Sequence, residues 1–153
     1  MTLIECKVTF DSLSEEGLIR RVNEIHVTDA LTFTEAEKMV TEILKPLIHG
    51  VFGFKYMKQV YFDELTIENP AEETFFIAKI NSISVNEAGT ERRIPLKWLL
   101  TATDIDSAKA KVDEMIRGAL GTFILSEIKE SKIISFVSET DVTEEDNKQE
   151  EED

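Results

Sequence analysis

The chain holds a single cysteine, Cys6, which excludes an internal disulfide and a cysteine-based zinc site. Long hydrophobic runs are missing as well: no segment approaches ~18 apolar residues, so nothing is expected to span a membrane. Basic charge is scarce, with 17 Lys and Arg against 31 Asp and Glu and a net charge of −14. Affinity for nucleic-acid backbones comes largely from Lys and Arg releasing counterions, so this balance argues against a general nucleic-acid binder. The only histidines, His26 and His49, lie far apart and suggest neither a metal site nor an acid–base pair. No Gly-x-Ser-x-Gly turn surrounds any serine. Gly50-Val51-Phe52-Gly53 has the spacing of a phosphate loop but follows a helix instead of opening one, which fits helix termination. The carboxylates are numerous, yet no pair sits in an apolar context that would raise a pKa for general acid work. The expectation is a non-enzymatic protein with no metal and no cofactor.

What is present is a repeat. Sliding the sequence by 72 residues brings Lys7 onto Lys79, Ser12 onto Ser84, Glu15 onto Glu87, Gly17 onto Gly89 and Arg20-Arg21 onto Arg92-Arg93. The same offset carries Ala30 onto Ala102, Ala36 onto Ala108, Val40 onto Val112 and Glu42 onto Glu114. These are ten identities between Ile4 and Leu65 without a gap; roughly four would arise by chance at ordinary composition. One supersecondary unit used twice is the expected architecture.

In each unit the pattern reads strand, strand, helix, strand. Ile4, Cys6, Val8 and Phe10 alternate with polar residues, as a half-buried strand does, and Cys6 falls on its apolar parity. A polar turn from Asp11 to Gly17 leads to a return strand over 19–28, which so short a connection makes antiparallel. Thr32 and Glu35 form a capping box ahead of an apolar helix face: Ala36, Met39, Val40, Ile43, Leu44 and Leu47. The third strand, about Phe52 to Thr66, exceeds the usual length, so a bend or bulge is expected in it. After a linker at 67–73, the second unit repeats the plan. Its return strand carries Pro95, suggesting an edge or bulge. Its helix is capped by Asp104 and turns Ala108, Val112, Met115, Ile116 and Ala119 inward. A right-handed crossover gives strand order 2-1-3 in each unit. The expected fold is α+β: two pseudo-symmetric β-β-α-β repeats over 1–66 and 74–137, antiparallel sheets with one helix each, packed in two layers. The long third strands are expected to join the repeats. Residues 138–153 carry nine acids and one base, net −8, leaving −6 for the rest. This tail is expected to be disordered, serving solubility or, alternatively, shielding a basic face or mimicking nucleic acid.

Several stretches, in order, carry a resemblance: ECKV, RR, DALTFTEAE, the aromatic strand after Gly53, and FFIAKI. Together they resemble the uncharacterised "domain of unknown function 4494" family of Bacteroidetes and their phages. The likeness extends to about Phe136 and is most specific between Thr28 and Glu37. It implies a small cytoplasmic or phage-encoded protein with no assigned chemistry, and it supplies no catalytic residues.

Two groups of residues are candidates for binding. Lys7, Arg20 and Arg21 lie on adjacent strands of one hairpin, and Lys79, Arg92 and Arg93 are their copies. In an acidic protein these fit two symmetric anion sites, since the arginine fork suits phosphate or carboxylate. Cross-strand pairing with Glu5, Glu24 or Glu91 is the more ordinary explanation. The aromatic content offers a weaker surface, Tyr56 and Tyr61. Phe52, Phe54 and Tyr56 share one strand parity, and a stacking platform would need Lys55 and Lys58 beside them; the other reading is core. The leading functional expectation is a protein–protein interaction or accessory factor of a phage or mobile element, acting in a bacterial cytoplasm. The alternative is a nucleic-acid- or nucleotide-binding module using the twin Lys/Arg clusters. No membrane partner is expected, and an exposed strand edge leaves a homodimer open.

Overall fold

The computed structural model describes residues 1–139; the acidic tail from Thr140 onward, expected to be disordered, lies outside the described residues. Among the described residues the fold is α+β, with two helices and two four-stranded sheets.

The first sheet is built on the hairpin of β1 (Thr2–Leu13) and β2 (Ile19–Thr28), antiparallel with Leu13 opposite Ile19 and Ile4 opposite Thr28. Its turn closes through Gly17, whose φ of 81° is readily adopted only by a residue without Cβ. Helix α1 (Phe33–Leu44) starts where Thr32 accepts a hydrogen bond from the Glu35 amide at 3.1 Å. The Glu35 carboxylate reaches back to the amide of Leu31, one residue before the cap. The helix lays Ala36, Met39, Val40 and Leu44 onto Ile4, Cys6 and Val8 of β1. Fully burying side chains of this size contributes about 1.5–3 kcal/mol each. Leu47, expected on that face, is exposed because the helix ends three residues earlier. Strand β3 (Phe52–Tyr61) flanks β1.

The second sheet follows the same plan. Strands β5 (Thr74–Val85) and β6 (Glu91–Ala102) pair antiparallel, with a turn at Gly89 of φ 79°. Helix α2 (Ile105–Gly118), capped by Asp104 onto the Ser107 amide at 2.7 Å, packs Ala108 and Val112 against Phe76, Ala78, Ile80, Trp98 and Leu100. Strand β7 (Thr122–Glu130) pairs antiparallel with β5. Each sheet thus contains the order return strand, first strand, third strand, on one side of which the helix lies.

The third strand of the sequence reading is not continuous. It breaks at Phe62 and Asp63, and its remainder, β4 (Glu64–Thr66), runs parallel to β6 in the second sheet. The break has a local cause: Phe62 is 2% exposed, and Asp63 exchanges two 2.8 Å bonds with the backbone of Lys97. The last strand, β8 (Ile133–Val137), runs parallel to β2 in the first sheet. The sheet orders are β3-β1-β2-β8 and β4-β6-β5-β7, so each long third segment is shared between the sheets: residues 52–66 give β3 to the first and β4 to the second, and residues 122–137 give β7 to the second and β8 to the first. One compact unit comprises Thr2–Val60 with residues 133–139, the other Tyr61–Lys132 with Met1. Pro95 is accommodated because β4 covers β6 only from Trp98 to Leu100, leaving Pro95 on a locally unpaired side. Among the described residues, no helix is long and apolar enough to cross a membrane.

Candidate functional site

The residues singled out from the sequence are regrouped by the strand registers. Arg21 lies opposite Asp11, and Arg20 opposite Ser12. Successive strand residues point to opposite faces, so the two arginines diverge. The Arg21 guanidinium approaches the Asp11 carboxylate at 3.5 Å on a well-exposed stretch, a pair of the kind that contributes little. Lys7 is four residues from Asp11, roughly 13 Å along the strand. The second trio has the same arrangement, with Arg92 opposite Ser84, Arg93 opposite Ile83 and Lys79 four residues away. Neither trio converges on one point. Of the carboxylates expected to pair with them, Glu5 and Glu24 are engaged elsewhere, Glu5 with Tyr56 and Lys58 and Glu24 with His26.

Lys7 instead meets a tyrosine. Lys7 and Lys58 place their ammonium groups 5.9 and 5.2 Å from the ring centre of Tyr56, whose hydroxyl donates to Glu5 at 2.9 Å. Burial, then this hydrogen bond to an anion, push the Tyr56 hydroxyl up to about 12. Glu5 lies between Ile4 and Cys6, which face the helix, so Tyr56 sits on the opposite face from Phe52 and Phe54. The shared parity read for those three residues is therefore broken: Phe52, Phe54 and Met57 pack inward, which requires a one-residue slip before Met57.

Lys79 and Tyr61 line a cleft of about 310 Å³ with Asp63, Asn81, Lys97 and Ser126. Lys79 and Lys97 are direct cross-strand neighbours, as are Asn81 and Pro95 on the same face. Lys79 is drawn aside towards Glu127 at 3.4 Å, and Lys97 over the Phe62 ring at 4.7 Å. Between Leu125 and Glu127 strand β7 bulges, and the extra residue, Ser126, donates its hydroxyl to the Lys79 carbonyl at 3.1 Å.

The arginines belong to the distal halves of the two hairpins, where residues 11–21 and 84–95 are all exposed. The first of these arms carries Leu13, Leu18 and Ile19 at 71%, 64% and 75% exposure, and the second Val85 and Ile94 at 66% and 46%.

Sequence reasoning missed one polar chain. His26, 3% exposed, contacts Ser135 Oγ through Nδ1 at 2.5 Å and Glu24 through Nε2 at 3.0 Å. A carboxylate only accepts, so the proton sits on Nε2 and Nδ1 accepts from the serine. Burial lowers the His26 pKa, while Glu24 opposes the shift. The residues are 109 apart in sequence, and only the parallel β2–β8 pairing, itself bulged at this point, joins them. Cys6, opposite His26, is fully buried, and desolvation with the nearby Glu5 and Glu37 pushes its thiol up to about 11. That is the setting of an unreactive thiol. Among the described residues, no group of three or more His, Cys, Asp or Glu is placed to hold a metal ion.

Fold and surface together define an α+β protein of two helix-backed sheets, each extended by an exposed hairpin arm. The chain belongs to the family described as Domain of unknown function (DUF4494), which matches residues 2–139. No curated protein and no solved structure matches it.

Proposed function

We propose that this chain is a non-enzymatic interaction protein that holds a protein partner through its hairpin arms. The observation carrying this reading is the apolar tip of the first arm, where Leu13 and Ile19 lie directly opposite one another and Leu18 follows in the turn, all largely exposed. Exposed apolar clusters on an otherwise charged surface mark contact sites. Charge favours protein over nucleic acid at these arms: residues 11–21 carry three acids and two arginines, and residues 84–95 two of each. Among the described residues β3 and β7 are terminal in their sheets, positions that suit strand addition by a partner or a second copy. An internal duplication is part of the proposal. It is supported by β1 and β5, β2 and β6, and α1 and α2 each starting 72 residues apart. Origin in Bacteroidetes or their phages, an accessory role there, and a cytoplasmic location complete it.

The test is a photo-crosslinker at Leu18 in the native cell, with a companion chain in which Leu13, Ile19, Val85 and Ile94 are threonine. A discrete protein adduct that disappears in the companion chain supports the reading. Absence of any adduct, or the same adduct from both chains, refutes it.

A further inference from the structure

We infer that the cleft lined by Lys79, Lys97, Asn81 and Tyr61 binds a small phosphate monoester carrying a planar base, a nucleoside monophosphate. This stands apart from the arm reading and gives the anion-binding alternative a specific place. Like charges directly opposite in a sheet are destabilising, yet Lys79 and Lys97 face each other in register. Their ammonium groups splay to Glu127 and to the Phe62 ring, opening a gap between them. A dianion in that gap turns the repulsion into two charge-assisted contacts.

Two further donors point the same way. Among the described residues, neither the Asn81 amide nor the Tyr61 hydroxyl has a hydrogen-bond partner, and both line the cleft. Of the two nearby acids, Asp63 gives one carboxylate oxygen to the Lys97 amide at 2.8 Å and is paired with neither lysine ammonium. Glu127 is 46% exposed and yields Lys79 to a more highly charged anion. The site is built into the strands: Pro95 supplies no amide to the pairing opposite Asn81, and the bulge at Ser126 turns the neighbouring strand. A volume of about 310 Å³ suits a small ligand at the lower end of binding-pocket sizes. The Tyr61 side chain, 57% exposed, offers a ring for the base to stack on.

The experiment titrates the full chain with AMP, GMP, CMP, UMP and inorganic phosphate, following backbone and Asn81 side-chain amide resonances. Saturable shifts confined to the cleft are expected, with Lys97→Met weakening nucleotide binding about tenfold through loss of a charged contact. Tyr61→Ala is expected to weaken the nucleotide and leave inorganic phosphate unchanged. Arg20→Glu with Arg21→Glu, on the arm, is expected to leave both unchanged, which separates this site from the arm surface. The inference is overturned by an absence of saturable shifts, by shifts that survive Lys79→Met with Lys97→Met, or by inorganic phosphate binding as tightly as the nucleotides. An oligonucleotide whose affinity rises with its length also overturns it, in favour of a nucleic-acid strand.

Discussion

Replacing His26 with glutamine tests how the buried polar chain couples stability to pH. In the folded protein, burial holds the His26 pKa below the ordinary 6.5, with Glu24 only partly offsetting it. The unfolded chain therefore takes up a proton first as pH falls. Stability is complete above about pH 6.5, declines as pH drops through that value, and levels off below the folded-state pKa. The groups facing the ring are Glu24 on its own strand, Ser135 on β8 and Cys6 on β1. One proton limits the loss to about 1.4 kcal/mol between pH 7.5 and 5.5 if the folded protein stays unprotonated throughout. The many carboxylates contribute their own dependence, so the informative quantity is the difference between the native chain and His26→Gln. Urea unfolding of both at pH 7.5, 6.5 and 5.5 should show the native chain losing up to this amount relative to the variant. Parallel pH profiles, or a native chain gaining stability as pH falls, would refute the assignment.

The caps and the buried groups give four further expectations. Thr32→Ala should cost about 1 kcal/mol in urea unfolding by removing the bond to the Glu35 amide. Asp104→Ala should also destabilise, since the carboxylate, its pKa lowered by the Ser107 amide, caps α2. Cys6, fully buried with its thiol raised to about 11, should resist an aromatic disulfide reagent in the native protein at pH 8 and react at once in denaturant; rapid native labelling would contradict its placement. Ultraviolet titration should show one of the two tyrosines ionising near pH 12, and Tyr56→Phe should abolish that step and cost about 1 kcal/mol from the lost bond to Glu5.

The parts of the fold that announce themselves in the sequence are those set by neighbours along the chain. The alternation from Ile4 to Val8, the caps at Thr32 and Asp104, and the inward faces of both helices depend on local periodicity and hydrogen bonding, and apart from Leu47 and Ala119, which lie past the helix ends, they match the structure. The fates of β4 and β8 do not: three and five residues are too few for a period, and their sheets are chosen by distant partners, Lys97 and His26. Candidate residues follow the same division. Lys7 and Lys79 stood out by recurring, but the groups they meet, Tyr56 and Lys58 or Lys97 and Tyr61, come from strands whose register no local pattern specifies. The arginine pairs looked like clusters only because adjacency in sequence was read as adjacency in space, whereas a strand turns consecutive side chains apart.

The placement of β8 makes the first sheet wait for a strand that follows the whole second sheet in the chain. A ribosome has already released most of the first sheet when β1, β2, α1 and β3 have emerged, yet the neighbour that closes the flank of β2 arrives only after Val137 is made. Until then the nascent protein carries an open border with Val27 and Thr28, both fully buried in the finished molecule. Translation arrested within the second half should therefore yield a sticky, protease-sensitive product.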